Sequence, residues 1–388
     1  MILNIPKSLA FFTFLMAVLY PPLVFYGFMS DTLRVGLFAL LLISLFSWQI
    51  LRSYQPKRVV TIVYCWVIFF IYTVASMYVN WNGAFKSTMG YSMILVFAIC
   101  IFSIMRSERG SEFSEALLKY YVKFFYMVSV CAIINFLVNI FLPVINFLTP
   151  FLADNPYHYE ISPFGLSVSK PILGINFVRS FFYFIEPVYL ALFYLFNVFV
   201  IGPSLPKRSK FVLLNIIGGV VTFSYLFFIG YIIMKALKMR TFYKVLTVSI
   251  IVLFYLAFQN SILPGLLESS SADNRFSRLE TALEFIKNIG AQKILFGIGI
   301  EYDYISDFGI NAGILSTVIE NGLFGLVFLL TIMLLFAQKN TFIILIIFLG
   351  LLTVEPFKLP LFWLTVVLAG EINRRQKANN VEQEILTT

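Results

Sequence analysis

The chain has 388 residues, of which 60% are apolar and only 12% are charged. A soluble globular protein carries roughly 25% charged residues, so this composition and a mean hydropathy of +0.91 exclude an ordinary soluble domain and indicate a polytopic helical membrane protein. The net charge of +9 comes from short clusters of Lys and Arg between apolar runs. Such clusters are typical of membrane orientation signals and do not indicate nucleic-acid binding.

A series of apolar runs predicts membrane spans, which need ~20 apolar residues each. The first run has no cleavage site and is expected to remain as a span. The three cysteines fall inside apolar runs without CxxC spacing, so neither a zinc site nor a disulfide framework is predicted. The runs are Ser8–Met29, Leu33–Leu51, Val59–Val79, Met89–Met105, Phe124–Phe147, Phe181–Ile201, Val245–Leu263, Ala312–Phe336, Thr341–Val354 and Leu359–Gly370.

The run Phe211–Met234 is long enough for one span, but Lys and Arg flank it on both sides. A single crossing would place one basic cluster on the wrong side of the membrane. Two short helices broken near Thr222–Ser224 would return both flanks to the same side, and interrupted helices are tolerated where the backbone faces protein or a cavity. We therefore predict a helical hairpin here.

These elements predict an all-α protein with about twelve transmembrane helices and both termini inside. Residues 1–373 form a single transmembrane domain, and the polar tail 374–388 is expected to be cytoplasmic and disordered. The segment Ser107–Lys123 mixes charges with an apolar face and is predicted to lie along the membrane surface as a helix. Two long polar loops, Leu148–Ser180 and Pro264–Ile310, face the opposite side.

The first long loop leads into the sequence RSFFYFIEP, from Arg179 to Pro187. Arg179 and Glu186 are seven residues apart, so in a two-turn helix both would face the same side, and Pro187 would kink that helix. A carboxylate such as Glu186 at membrane depth is costly and usually functional, although the two residues could equally pair with neighbours to fix the loop. His158 is the only histidine, and it is either a base near neutral pH or an exposed residue without a role.

The second long loop predicts an amphipathic helix on the outer membrane surface. Arg275 and Arg278 lie in its first turn, where a bound anion would offset the unfavourable helix dipole; ordinary snorkelling is the alternative. In the stretch Gly297–Tyr304 the glycines are expected to permit a tight turn, and no dinucleotide fingerprint is formed. The acidic residues near Asp303 do not have the spacing of a calcium loop, so no metal is expected.

The layout and four stretches of sequence together resemble the superfamily of bacterial O-antigen polymerases and O-antigen ligases. The stretches are RSFFYFIEP, NRFSRLETA, LFGIGIEY and NAGILSTVIENGLFG. The resemblance implies a metal-independent glycosyltransferase of the C type that joins glycans carried on undecaprenyl diphosphate. It extends over most of the chain in layout and over far fewer residues in motif.

Within that superfamily, the sequence favours the polymerase. The ligases carry a histidine upstream of a GxxG pair, and here Gly322 and Gly325 supply the glycines. The histidine position instead holds Asn311, next to Ile310, and neither side chain titrates. The ligase, which transfers glycan to lipid A–core, remains an alternative. A flippase for lipid-linked oligosaccharides is an alternative from another class, and an envelope scaffold is a third.

The resemblance also implies roles for particular residues. Arg179, Arg275 and Arg278 are expected to hold the donor diphosphate, and Glu186, then His158, then Asp303, are the candidate general bases. The helical hairpin near Ser224 is expected to flank a groove for the polyprenyl tail. No cofactor is expected. The implied partners are undecaprenyl-diphosphate-linked oligosaccharides, membrane lipids, a chain-length regulator and a flippase, and the implied location is the bacterial inner membrane.

Overall fold

The structure is a computed structural model that describes residues 5–19, 31–50, 57–80, 85–107, 110–141, 160–172, 175–184, 186–206, 208–239, 284, 287–288, 290–298, 313–354 and 356–387. These residues form twelve α-helices and three β-strands. The helices are α1 Ile5–Leu19, α2 Asp31–Ile50, α3 Lys57–Asn80, α4 Phe85–Met105, α5 Gly110–Phe141, α6 Pro187–Phe196, α7 Arg208–Val221, α8 Tyr225–Lys238, α9 Ala291–Phe296, α10 Gly313–Ala337, α11 Thr341–Leu351 and α12 Pro360–Thr387. The strands are β1 Glu160–Ser162, β2 Gly165–Ile172 and β3 Ile175–Ser180.

Within the described residues, three helical segments are long and apolar enough to cross a membrane: α5, the segment Pro187–Ser204 that contains α6, and α10. Shorter apolar helices lie within α1, α2, α3, α4 and α11. The structure therefore confirms a helical, membrane-embedded protein. The predicted spans up to Met105 coincide with α1–α4 within a few residues at most ends, and the last part of the first predicted span, residues 20–29, lies outside the described residues. The predicted span Val245–Leu263 lies outside the described residues.

Helix α5 is continuous from Gly110 to Phe141, so the prediction of a separate surface helix over Ser107–Lys123 is wrong. No Gly or Pro interrupts the sequence after Gly110, and an uninterrupted helix of 32 residues continues from its charged first turns into its apolar part. Helix α12 likewise extends to Thr387. The tail 374–388, predicted to be disordered, is therefore helical as far as that residue.

The all-α prediction is incomplete because the first long loop contains an antiparallel sheet in the order β1-β2-β3. Val168 in β2 pairs with Arg179 in β3. β-Branched residues recur in both strands, and such residues fit a pleated surface. The high proline and glycine content of the loop, which argues against a helix, is compatible with a sheet made of such short strands.

The centre of the bundle is formed by α6 and the first half of α12, whose side chains are nearly all buried. Trp363 is fully buried, packs edge-on against the ring of Phe336, and donates its indole N–H to the carbonyl oxygen of Phe357 at 2.8 Å. A helix that is apolar on every side is stable only inside protein or lipid. These helices therefore provide the framework that holds the polar groups at each end.

The predicted break at Thr222–Ser224 is confirmed, because α7 ends at Val221 and α8 starts at Tyr225. Helix α7 runs antiparallel to α6: a Cβ added to Gly218 would touch Tyr194, and one added to Gly202 would touch Val212. Helix α8 then returns parallel to α6, since Lys238 stands over the ring of Phe199. Both basic flanks of this hairpin therefore lie at one end of α6, as the charge pattern predicts.

Basic residues from other helices lie at this same end of the bundle, which we call the arginine end. Phe199 stacks on Phe342 at the start of α11, and Asn340 just before it hydrogen-bonds Asn373 in α12. Arg106 after α4, and Arg374 and Arg375 in α12, are also here. The opposite end carries the β-sheet, the start of α6, the α7–α8 break and the start of α12, and we call it the sheet end.

Candidate functional site

Arg179 is the predicted site residue that the structure describes most fully. It is the second-to-last residue of β3 and is only 9% exposed. Its Nε–H donates to the carbonyl oxygen of Thr222 at 3.1 Å. Thr222 lies in the α7–α8 break, where Phe223 has a φ of +44° and the helix cannot continue. The sheet and the broken hairpin thus meet at this guanidinium group.

Glu186 immediately precedes α6 and is half-buried. Pro187 is the first residue of the helix, where the missing N–H costs nothing, so the predicted kink at Pro187 is wrong. The prediction that Arg179 and Glu186 share one helix face is also wrong. Arg179 belongs to a strand that ends at Ser180, and a turn with Phe182 at a φ of +50° separates it from α6.

A buried hydrogen-bond network in α5 and the sheet fixes the backbone beside Arg179. The Asn135 amide donates to the carbonyl oxygen of Leu166 at 3.0 Å and to Ser180 Oγ at 2.9 Å. The side-chain oxygen of Asn135, Oδ1, accepts a hydrogen bond from Ser162 Oγ at 2.5 Å. Because Ser180 follows Arg179 in β3, this network fixes the position of the Arg179 backbone. Asn135 is only one polar residue in an apolar run, so its role was not predictable from the sequence.

Tyr183 closes the turn between the sheet and α6. Its hydroxyl donates to the carbonyl oxygens of Ser162 and Pro163 at 3.0 and 3.1 Å. Burial, and secondarily the nearby Cys131 thiol, raise the pKa of the Tyr183 hydroxyl above its ordinary value. The hydroxyl therefore stays protonated near neutral pH and continues to hold the turn on which Glu186 sits.

Two features at the α7–α8 break supply hydrogen-bond donors beside Arg179. The first turn of α8 presents backbone N–H groups that have no partner within the helix. Ser224 caps this helix in an extended conformation, is fully buried, and has a hydroxyl with no hydrogen-bond partner among the described residues. A helix N-terminus, a hydroxyl and a guanidinium are the groups that bind phosphate oxygens in proteins.

The other predicted site residues, His158, Arg275, Arg278 and Asp303, lie outside the described residues, as does Asn311. Their predicted convergence with Arg179 therefore stays a prediction. Gly297 is described and follows α9 with a φ of +77°, which glycine adopts readily; the rest of the predicted turn, from residue 299 to Tyr304, lies outside the described residues. No cluster of three or more His, Cys, Asp or Glu side chains suited to a metal occurs in the described part of the chain.

A second polar cluster at the sheet end was not predicted. Helix α10 contains a break at Gly322, with φ of 68° and ψ of 176°. Glu320 is 2% exposed, and its carboxylate accepts from Lys358 Nζ at 2.7 Å. The sequence signal was available, since a carboxylate inside an apolar run is rare and usually functional.

The α10 break is held from outside the helix. The Ile298 N–H donates to the carbonyl oxygen of Ile319 at 2.8 Å. The Tyr72 hydroxyl bridges the carbonyl oxygens of Leu295 and Asn321 at 2.9 and 3.1 Å. Backbone groups freed by a break in a membrane helix must find such partners. The segment after α9 and helix α3 supply them here.

At the arginine end, one buried carboxylate gathers three guanidinium groups. Glu371 is 2% exposed; its Oε2 lies 2.9 Å from Arg374 Nε and 3.5 Å from Arg106 Nε, and its Oε1 lies 3.0 Å from Arg375 Nε. Arg375 also hydrogen-bonds Ser114 in α5. The cluster joins α4, α5 and α12, and it was predicted only as scattered basic residues on one side.

Comparisons of the chain with protein-family models, with curated proteins and with solved structures find no match.

Proposed function

We propose that the protein polymerises oligosaccharide repeat units carried on undecaprenyl diphosphate, transferring the growing glycan onto a new lipid-linked unit at the outer face of a bacterial inner membrane. The observation that carries this proposal is Arg179, a buried guanidinium held against the α7–α8 break beside the N-terminus of α8. The sequence resemblance to O-antigen polymerases supports the same activity.

The chemistry of the site suits a diphosphate leaving group. The acceptor hydroxyl oxygen attacks the anomeric carbon of the donor, and the bond from that carbon to the diphosphate oxygen breaks. The leaving diphosphate keeps the electron pair, so negative charge grows on it, and fixed donors stabilise that charge. Arg179 and the α8 N-terminus with Ser224 supply such donors. Arg275 and Arg278 are proposed to complete the clamp.

A general base must accept the proton of the attacking hydroxyl. Glu186 is the first choice, because it lies half-buried between the turn that follows Arg179 and the start of α6. His158 and then Asp303 are the other candidates. The arginine end gathers the basic residues that orientation signals place in the cytoplasm, so the sheet end and the proposed site face outward.

The test uses purified protein in lipid nanodiscs with a defined undecaprenyl-diphosphate-linked repeat unit, without nucleotide sugar or added metal. Wild-type protein is expected to form a ladder of polymer on gels. Arg179→Ala is expected to lower the rate about a hundredfold, corresponding to ~3 kcal/mol of lost electrostatic stabilisation. Arg179→Lys should recover part of the rate, because lysine keeps the charge without the planar fork.

Arg208→Ala is the matched control, since Arg208 is exposed at the arginine end. This variant should polymerise the repeat unit at the wild-type rate. A ladder of full length and normal rate from Arg179→Ala would refute the diphosphate site. Movement of a labelled lipid-linked unit across the membrane without any new glycosidic bond would instead identify a flippase. Transfer onto lipid A–core alone would identify a ligase.

A further inference from the structure

Asn321, at the break in α10, has a side chain that its fold does not use. Asn321 is 3% exposed, and neither its side-chain nitrogen Nδ2 nor its side-chain oxygen Oδ1 has a hydrogen-bond partner among the described residues. A buried polar group without a partner costs about 1–3 kcal/mol. Such a cost is tolerated at a site where a ligand supplies the missing hydrogen bonds.

We infer that Asn321 binds a neutral, hydroxyl-bearing ligand, namely a sugar residue. The primary amide offers a donor and an acceptor side by side, and a pair of neighbouring sugar hydroxyls, or a hydroxyl beside an acetamido group, offers the complementary pair. The site is a binding site, distinct in position from the groups around Arg179, and the inference does not depend on the proposed transfer reaction.

The surrounding charges favour a neutral ligand over an ion. Glu320, the residue before Asn321, forms an ion pair with Lys358, so the two contribute no net charge. An anion would meet the Glu320 carboxylate and the Asn321 carbonyl oxygen. A cation would meet the Lys358 ammonium and the Asn321 amide N–H groups. Hydroxyl groups, which both donate and accept, match the Asn321 side-chain amide, whose Nδ2 and Oδ1 are the groups without a partner among the described residues.

Aromatic rings form an apolar wall beside this polar group. Tyr72 stacks on Phe296 with ring centroids 5.9 Å apart, and Phe324 stands edge-on to Tyr72 at 6.1 Å. Phe324 is 46% exposed and the Lys358 side chain is 24% exposed, so both residues near the buried amide reach the protein surface. Aromatic walls with a few fixed polar groups are typical of small-molecule sites.

The backbone beside Asn321 is rigid, as a binding residue requires. The Tyr72 hydroxyl donates to the backbone carbonyl oxygen of Asn321, and the Ile298 N–H donates to the backbone carbonyl oxygen of Ile319. The Asn321 Cβ lies against Gly325, because a Cβ added to Gly325 would come within 2.5 Å of it. The small GxxG residues thus leave room for the Asn321 side chain at the start of the second half of α10.

The test measures saturation-transfer NMR from the protein in nanodiscs to free glucose and to free N-acetylglucosamine, with inorganic phosphate as an anionic competitor. Nanodiscs are needed because maltoside detergents carry the same chemistry as the probes. Wild-type protein is expected to saturate at least one of the two sugars, and phosphate should not displace it. Asn321→Leu should abolish the signal, and Asn321→Gln should weaken it.

The thermal midpoint separates binding from a structural role. Replacing unpaired polar groups by apolar ones of similar shape is neutral or stabilising, so Asn321→Leu should melt at or above the wild-type temperature. A clear fall in Tm would show that a trapped water satisfies the amide and would overturn the inference. Absent sugar saturation in wild type, or unchanged saturation in Asn321→Leu, would overturn it too. This experiment measures sugar binding and not glycan transfer. A negative result would therefore leave the polymerisation test of Arg179→Ala unaffected.

Discussion

Replacing Glu371 by Gln should loosen the arginine end of the bundle. The substitution keeps the shape of the side chain and removes the one negative charge that three guanidinium groups share. Glu371 is 2% exposed and lies 2.9 Å from Arg374, 3.0 Å from Arg375 and 3.5 Å from Arg106. Arg106, whose side chain is 15% exposed, then loses the carboxylate that lies 3.5 Å from its Nε.

Removing one partner of a buried ion pair costs about 3–5 kcal/mol. The lower figure is appropriate because the side chains of Arg374 and Arg375 are 39% and 33% exposed, so solvent screens part of the interaction. With an unfolding entropy of about 2.1 cal/mol/K per residue, a loss of ~3 kcal/mol lowers Tm by about 4 °C for a chain of this length. The Glu371→Gln protein should therefore melt several degrees below wild type.

The assay is a thermal melt in nanodiscs followed by the intrinsic fluorescence of the four tryptophans, which include the buried Trp363. Glu112→Gln is the matched control, because Glu112 is an exposed carboxylate in the first turn of α5. A double variant, Glu371→Gln with Arg375→Gln, should recover part of the loss because it relieves repulsion among the remaining cations. If Glu371→Gln has the same melting temperature as Glu112→Gln and wild type, the reasoning that the Glu371 carboxylate joins three helices is refuted.

Two further predictions concern the sheet end. Gly322→Ala should destabilise the protein by more than about 2 kcal/mol in the same melt, because its φ of 68° is strained for alanine and the new Cβ would lie 2.2 Å from the Leu295 carbonyl oxygen. The control Gly36→Ala should not destabilise the protein, since nothing lies within 4 Å of the new Cβ. Equal melting temperatures for the two variants would contradict a strained break at Gly322. Asn135→Ala should speed protease cleavage within the sheet, since three buried hydrogen bonds at ~1 kcal/mol each are lost. The control Asn288→Ala, at an exposed position, should be cleaved at the wild-type rate. Cleavage of Asn135→Ala at the wild-type rate would contradict the anchoring role of Asn135.

The helical framework was predictable because its signals are strong and local. Apolar runs located most of the described helices, and the charges on both flanks of Phe211–Met234 predicted the hairpin before any contact was known. The charge argument succeeds because it concerns which side of the membrane a segment occupies, a constraint that acts over the whole chain. Exact helix ends were less predictable, as in α5 and α12.

The sheet and the polar contacts were not predictable in the same way. The strands are short and pair through backbone groups, so their weak alternation of apolar residues competes with the proline and glycine content of the loop. Arg179 and Glu186 were assigned to one helix because spacing alone cannot show that a strand ends between them. The partners Glu320 and Lys358 are 38 residues apart, and only the parallel arrangement of α10 and α12 brings them together.

The two helix breaks explain why chemistry is expected at one end of this bundle. At the sheet end, the α7–α8 break and the break at Gly322 expose backbone groups, and Arg179, Tyr72 and the segment after α9 satisfy them. Each break leaves one buried polar side chain unused among the described residues, Ser224 in one case and Asn321 in the other. At the arginine end, by contrast, α4, α5 and α12 are joined by an ion cluster in which the acceptor, Glu371, is already fully engaged. Unpaired buried polar groups are costly to keep. At the two breaks, Ser224 and Asn321 keep them beside backbone groups that the helices no longer satisfy, so a polar ligand is expected to bind there.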